Sequence, residues 1–245
     1  NEMAALSRSM HKTQGFGSTG KRGEYLEYFE YLKGDSAKKS LFENIDFTWS
    51  RIVKNSQIEQ QIKLIQDSFD IDQPSNSINQ LIKLRKLVLN VKDEYWKMIK
   101  LQEINQLILH CAGVFLEATT LSSKKTVGDS LSFNLEFINR SNAKVILKKL
   151  SCNSLNFLKE YDIESENNQK HDIKSKVKIP NELKISQPYW LVEKPLIGTC
   201  IVNDQLKIGK PENDPAALFI IHVNINGEEI RCKRPLLFKW NDPVK

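Results

Sequence analysis

The sequence predicts an α+β chain in two parts: a helical bundle, then an antiparallel, immunoglobulin-like β-sandwich. Two observations carry that expectation. Near residue 126 the apolar pattern changes from a helical period of about 3.6 residues to strict alternation. Of the 8 prolines, only Pro74 precedes that point, so the first half is open to helices and the second is punctuated by breakers. The composition, 40% hydrophobic and 27% charged over 245 residues, is that of a folded globular chain.

Residues 1–11 read as a helix with Met3, Leu6 and Met10 on one stripe. The stripe has no neighbouring helix to cover it, and so short a helix needs packing to persist in water. Its expected partner lies outside this sequence, which makes the chain a piece of a longer protein. Four glycines then form a loop over 15–23. Its spacing fails the phosphate-binding pattern, because Arg22 stands where a Ser or Thr must follow Lys21. A short helix is predicted from Glu24 to Lys33, closed by Gly34. No state can be read for the apolar stretch 41–49.

Three punctuated helices follow. Ser56 and Glu59 have capping-box spacing, with Ile58, Ile62, Ile65 and Phe69 on one face. Pro74 breaks that helix, and Ser75 or Asn76 can cap the next, whose inner edge reads Ile78, Leu81, Ile82, Arg85 and Val88. Asp93 opens a third helix with a stripe running from Trp96 to Cys111 and Phe115. Residues 55–120 therefore read as a three-helix bundle. After Gly128-Asp129, Leu131, Phe133, Leu135 and Phe137 alternate with polar residues as a strand. Asn139-Arg140-Ser141-Asn142 is turn chemistry, and a second strand spans 144–150. Further strands are expected at 155–161, 171–179, 217–226 and 229–239, the last two joined by an Asn226-Gly227 hairpin. The predicted division is 1–23, 24–125 and 126–245.

The net charge of +6 is evenly spread. Residues 1–125 and 126–245 each carry 18 basic and 15 acidic side chains. That argues against nucleic acid as a partner, since a phosphate-binding face concentrates its Lys and Arg. No apolar run approaches the roughly 18 residues of a membrane span. The histidines His11, His110, His171 and His222 lack metal-ligand spacing, and the four cysteines form no C-x-x-C pair. Cys111, on an apolar stripe, reads as a small buried hydrophobe, and Cys200 and Cys232 are candidates to face one another. Tyr189 and Trp190 are candidate glycan-stacking residues, although core packing uses the same residue types.

Several segments together carry a family resemblance. They are Ala4–Gly17 with its His11-Lys12-Thr13-Gln14 element, Tyr28–Asp35, Phe137–Ser141, Ser186–Leu191 and Phe238–Lys245. They resemble the end of the catalytic domain, and the region beyond it, in bacterial PIG-L (LmbE-like) N-acetylglucosaminyl deacetylases. The resemblance implies a zinc-dependent parent enzyme, periplasmic or secreted, whose metal site uses a His-Pro-Asp-Asp segment. This sequence contains no His-Pro-Asp-Asp, so the chain itself is expected to hold no catalytic residues, no metal and no cofactor. Only His11 and Gln14 carry over, as contributors to the parent's active site. The expected function is accessory: packing on the preceding catalytic domain of the same polypeptide, or presenting a glycan substrate. The alternative is a stand-alone carbohydrate-binding or protein-interaction module.

Overall fold

The computed structural model describes residues 2–15, 20, 22–24, 26–54 and 56–240, with Ser56 in backbone only. The chain divides into two units, Asn1–Asp46 and Phe47–Lys245.

In the first unit, helix α1 spans Glu2–Met10 and buries none of its residues. One 3-10 turn follows at Lys12–Gln14, ended by Gly15 at φ 83°. The described part of 24–33 is not helical, which corrects the expected helix there. Its apolar side chains are the reason: Leu26, Tyr28, Phe29, Tyr31 and Leu32 are all exposed, and propensity without burial does not sustain one short helix. Most of the glycine loop 15–23 lies outside the described residues.

The second unit contains α2 (Ser56–Asp67), α3 (Ile78–Leu89), α4 (Glu94–Cys111) and seven strands. The strands are β1 (Phe115–Thr120), β2 (Ser130–Ile138), β3 (Val145–Cys152), β4 (Phe157–Ser165), β5 (Lys170–Lys178), β6 (Leu218–Ile225) and β7 (Glu228–Phe238). Asp93 caps α4 by accepting from the Trp96 N–H at 3.0 Å. The Ser56 half of the capping box lies outside the described side chains. Asn226 and Gly227, at φ 50° and 90°, close the β6–β7 hairpin in the left-handed conformation its two-residue turn requires.

The strands form one mixed sheet in the order β4-β3-β6-β7-β1-β2-β5. Strand β7 changes partner along its length. Its residues 228–235 pair antiparallel with β6, and 236–238 pair parallel with β1. Pro235, which has no N–H to give a ladder, stands at the changeover. Strands β4 and β5 occupy opposite edges, yet only residues 166–169 connect them. So short a link draws the two edges together, and the sheet curls into a nearly closed barrel.

Asn139 fastens one end of that barrel. It is 1% exposed. Its Nδ2 donates to the Ala143 and Ser165 carbonyls at 2.9 and 3.0 Å. Its Oδ1 accepts from the Ser141 N–H and hydroxyl, both at 3.1 Å. One side chain thus ties the β2–β3 turn to the end of β4.

This architecture corrects the expected fold. The sheet is not an antiparallel two-layer sandwich, because the parallel β1–β7 pairing joins all seven strands. The helices are not an independent bundle either. Ile78, Leu81 and Val88 of α3 and Ile104 and Ile108 of α4 share one apolar core with Leu135, Phe137, Phe219 and Ile230 of the sheet. Burying each such side chain contributes roughly 1.5–3 kcal/mol, and neither layer buries its apolar side alone. Arg85, on the inner edge of α3, reaches Glu228 at 2.5 Å and Asn105 at 2.9 Å. Asn226 Nδ2 donates to Asn79 Oδ1 at 3.1 Å, so α3, α4 and the β6–β7 hairpin are held by polar contacts as well.

Candidate functional site

Tyr189 and Trp190 lie in the long connection between β5 and β6, on a 3-10 turn at Tyr189–Leu191. Asn213 holds this turn. Its Oδ1 accepts from the Tyr189 N–H at 2.9 Å, and its Nδ2 donates to the Gln187 carbonyl. The Tyr189 hydroxyl donates to the Lys210 carbonyl at 3.0 Å. Tyr189 lines a cavity of about 510 Å³ together with Leu183, Gln187, Lys207 and Asn213. Trp190 does not line it. Its ring meets Tyr189 edge-on, with centroids 4.9 Å apart and planes at 89°, so the two rings do not form a common flat platform.

His11 and Gln14 sit at the 3-10 turn of the first unit, both exposed, with the Gln14 N–H donating to the His11 carbonyl at 3.0 Å. The remaining candidates are scattered. His171 stacks on Phe137 at 5.6 Å, while His222 Nδ1 lies 3.0 Å from Glu229 Oε1. That contact, with help from Arg231, holds the Glu229 carboxyl below its usual range. All four cysteines are free. Cys200 is exposed and Cys232 buried, and burial pushes the Cys111 and Cys232 thiols up, Cys232 to about 11. A raised thiol pKa opposes nucleophilic use. Among the described residues, no group of three His, Cys, Asp or Glu is placed to hold a metal ion, and no helix is long and apolar enough to cross a membrane.

A cavity of about 780 Å³ lies elsewhere, against β1, β2 and β5. Its volume is within the roughly 300–1,000 Å³ of small-molecule sites. Strand alternation builds it. Leu131, Phe133, Leu135 and Phe137 point into the barrel, so Ser130, Ser132 and Asn134 point out. The register sets Thr119 beside Asn134, Asn134 beside Lys174, and Ser132 beside Lys176. The 121–129 connection adds Leu121, Ser122 and Lys125 to the lining. That connection is fixed at both ends. The Ser122 N–H donates to Thr120 Oγ1 at 3.3 Å, and the Gly128 N–H to the Ile179 carbonyl at 3.0 Å.

The electrostatics of this cavity are one-sided. Three lysines line it and no carboxylate does. The nearest acids in the register are occupied: Glu117 by Lys239 at 2.5 Å, Glu136 by Lys170 at 3.3 Å, and so is Asp172. Asn134 Nδ2 donates to it at 2.8 Å and Lys170 lies 3.2 Å away, and together they hold its carboxyl below the usual range. Among the described residues, Lys125, Lys174 and Lys176 have no carboxylate within ion-pair distance. Asn134 Oδ1, on this outward row, is buried without a hydrogen-bond partner. An unsatisfied buried polar group costs about 1–3 kcal/mol, which an entering hydroxyl or water would relieve. The sequence held a signal for this face that a count of charge by halves averages away. In Lys170–Lys178 the outward positions read Lys, Asp, Lys, Lys, Lys.

A scan against known protein families finds no match, and no curated protein matches the chain. One similar solved structure is the Pseudomonas fluorescens alkylpurine DNA glycosylase AlkC bound to DNA containing an abasic site analog. It is 11% identical, with a TM-score of 0.25, over 72% of this chain and 50% of that one. The chain thus spans about half the length of that protein.

Proposed function

We propose that this chain is a non-catalytic accessory region of a PIG-L-like, zinc-dependent N-acetylglucosaminyl deacetylase, docked on the catalytic domain that precedes it in the same polypeptide. One observation supports the reading above others. No described residue of 2–46 is buried, although the segment is rich in large apolar side chains. Met3, Leu6 and Met10 are 79%, 60% and 79% exposed, and Phe29, Leu41, Phe42 and Ile45 are exposed as well. Apolar surface on that scale is the mark of a segment completed by another body. The resemblance of Ala4–Gly17 to the end of the catalytic domain names that body. In the docked state α1 gains the packing that its nine residues lack, and His11 and Gln14 come close to the parent's active site.

Hydrogen exchange tests this. The catalytic domain, added in trans to the present chain, is expected to protect amides 3–14, while amides of the barrel keep their rates. Protection of amides 3–14 in the monomeric chain alone, or its absence when the catalytic domain is in excess, would overturn the reading.

A further inference from the structure

We propose that the outward face of β1, β2 and β5, beneath the 121–129 connection, binds a hydroxyl-rich, acidic oligosaccharide, with Lys125, Lys174 and Lys176 receiving its sulfate, phosphate or carboxylate groups. The inference does not depend on how residues 2–46 dock. It rests on four observations at one place. The cavity holds about 780 Å³. Its charged lining is entirely cationic, in a chain that carries 30 acidic residues against 36 basic ones. The acids next along that face are already bound, Asp172 by Asn134 and Lys170, Glu136 by Lys170 and Glu117 by Lys239. The space between the lysines presents Thr119, Ser122, Ser130 and Ser132 hydroxyls and the Asn134 amide, groups that exchange hydrogen bonds with sugar hydroxyls.

The residue types select among anions. Lysine offers a compact point charge where arginine offers a planar fork, so the site suits dispersed oxyanions better than one bidentate carboxylate. Single-stranded nucleic acid is bound through aromatic stacking and Arg contacts. The single aromatic lining residue, Phe133, is 4% exposed and points into the barrel. A polyhydroxylated anion fits such a face better than a nucleic acid does. Lysines on an edge strand also hinder strand-to-strand pairing. That role needs neither the 121–125 segment beside the cavity nor its hydroxyl lining.

The test uses the whole chain and three fluorescent hexasaccharides of equal length, one sulfated, one phosphorylated and one uronate-rich. A neutral hexasaccharide and a hexanucleotide serve as comparisons. At least one acidic sugar should bind, and binding should weaken as salt rises. Combined Lys125→Ala, Lys174→Ala and Lys176→Ala should weaken that binding by about tenfold or more, and Ser132→Ala with Asn134→Ala should weaken it further. Lys83→Ala, Lys92→Ala and Lys233→Ala remove the same charge from exposed sites elsewhere, and should change it by less than about twofold. Unchanged thermal unfolding of both triple variants keeps the comparison clean. The proposal is overturned by no binding of any acidic sugar, by equal losses in the two triple variants, or by tighter binding of the hexanucleotide. The arm that binds best identifies the oxyanion.

Discussion

Cys232 shows how a buried thiol registers in stability. It is 3% exposed on β7, and burial pushes its pKa to about 11, with Arg234 pulling slightly the other way. In the unfolded chain a thiol titrates near 8.5. Above that pH the unfolded state releases a proton that the folded state keeps, so folding loses stability as pH rises through the unfolded value, and the loss levels off near 11. The full effect is roughly 3 kcal/mol at most. Cys232→Ala removes this dependence and opens a small cavity instead. The stability advantage of the native chain over Cys232→Ala, read from urea unfolding, should therefore narrow between pH 8 and pH 11. A constant difference across that range would show that the thiol does not keep its proton in the fold. Arg85 teaches a related lesson from sequence. Its place among Ile78, Leu81, Ile82 and Val88 marked an inner edge, but no local pattern could show that Glu228, far along the chain, completes it.

At the scale of elements, regular repeats were legible and long-range pairing was not. Alternation located β2, β3, β5, β6 and β7 closely, because one face of each strand is buried and the pattern has a fixed period. The junction of α4 and β1 was misread for a physical reason. Phe115 and Leu116 continue an apolar run, and the helix stripe extends through them, but Gly113 stops the helix at Cys111. The Val114 N–H donates to the Leu109 carbonyl and the Gly113 N–H to the His110 carbonyl, both at 2.9 Å. That is a Schellman cap, with Leu109 and Val114 buried together beneath it. Gly113 has φ +59°, and a Cβ there would lie 2.9 Å from Arg140 Cβ. Gly113→Ala should cost about 1–2 kcal/mol for the left-handed backbone, and more for the crowding. Thermal unfolding should fall by at least several degrees. An unchanged midpoint would mean that the cap is not required to turn the chain into β1. The lysine row of β5 is legible in sequence, but its placement in a cavity against β1 and β2 is not, for the same reason as the parallel β1–β7 pair. Both depend on which strands become neighbours, and strand sequence carries little information about that.

At the scale of the whole molecule, stability should reside in one part of the chain. Among the described residues, the apolar core draws on positions from Trp49 to Leu236. No described residue of 2–46 is buried, so that segment contributes little of the apolar burial that drives folding. Its backbone also offers proteases exposed cleavage points, among them Lys33, Lys38 and Lys39. The connection at 121–129 looks equally open in sequence, with Lys124 and Lys125 in a polar run. In the structure it is anchored through Thr120, Ile179 and Asp129, and both strands it joins belong to the same sheet. Limited trypsin digestion should therefore trim the chain to a resistant product beginning between Lys39 and Arg51, before any cut within 121–129. The trimmed product should unfold in a single transition, within about 0.5 kcal/mol of the intact chain. Early cleavage at Lys124 or Lys125, or a clear loss of stability on trimming, would show that residues before Phe47 help to hold the barrel. It would also mean that their apolar side chains are completed within this chain, without the catalytic domain proposed to cover them.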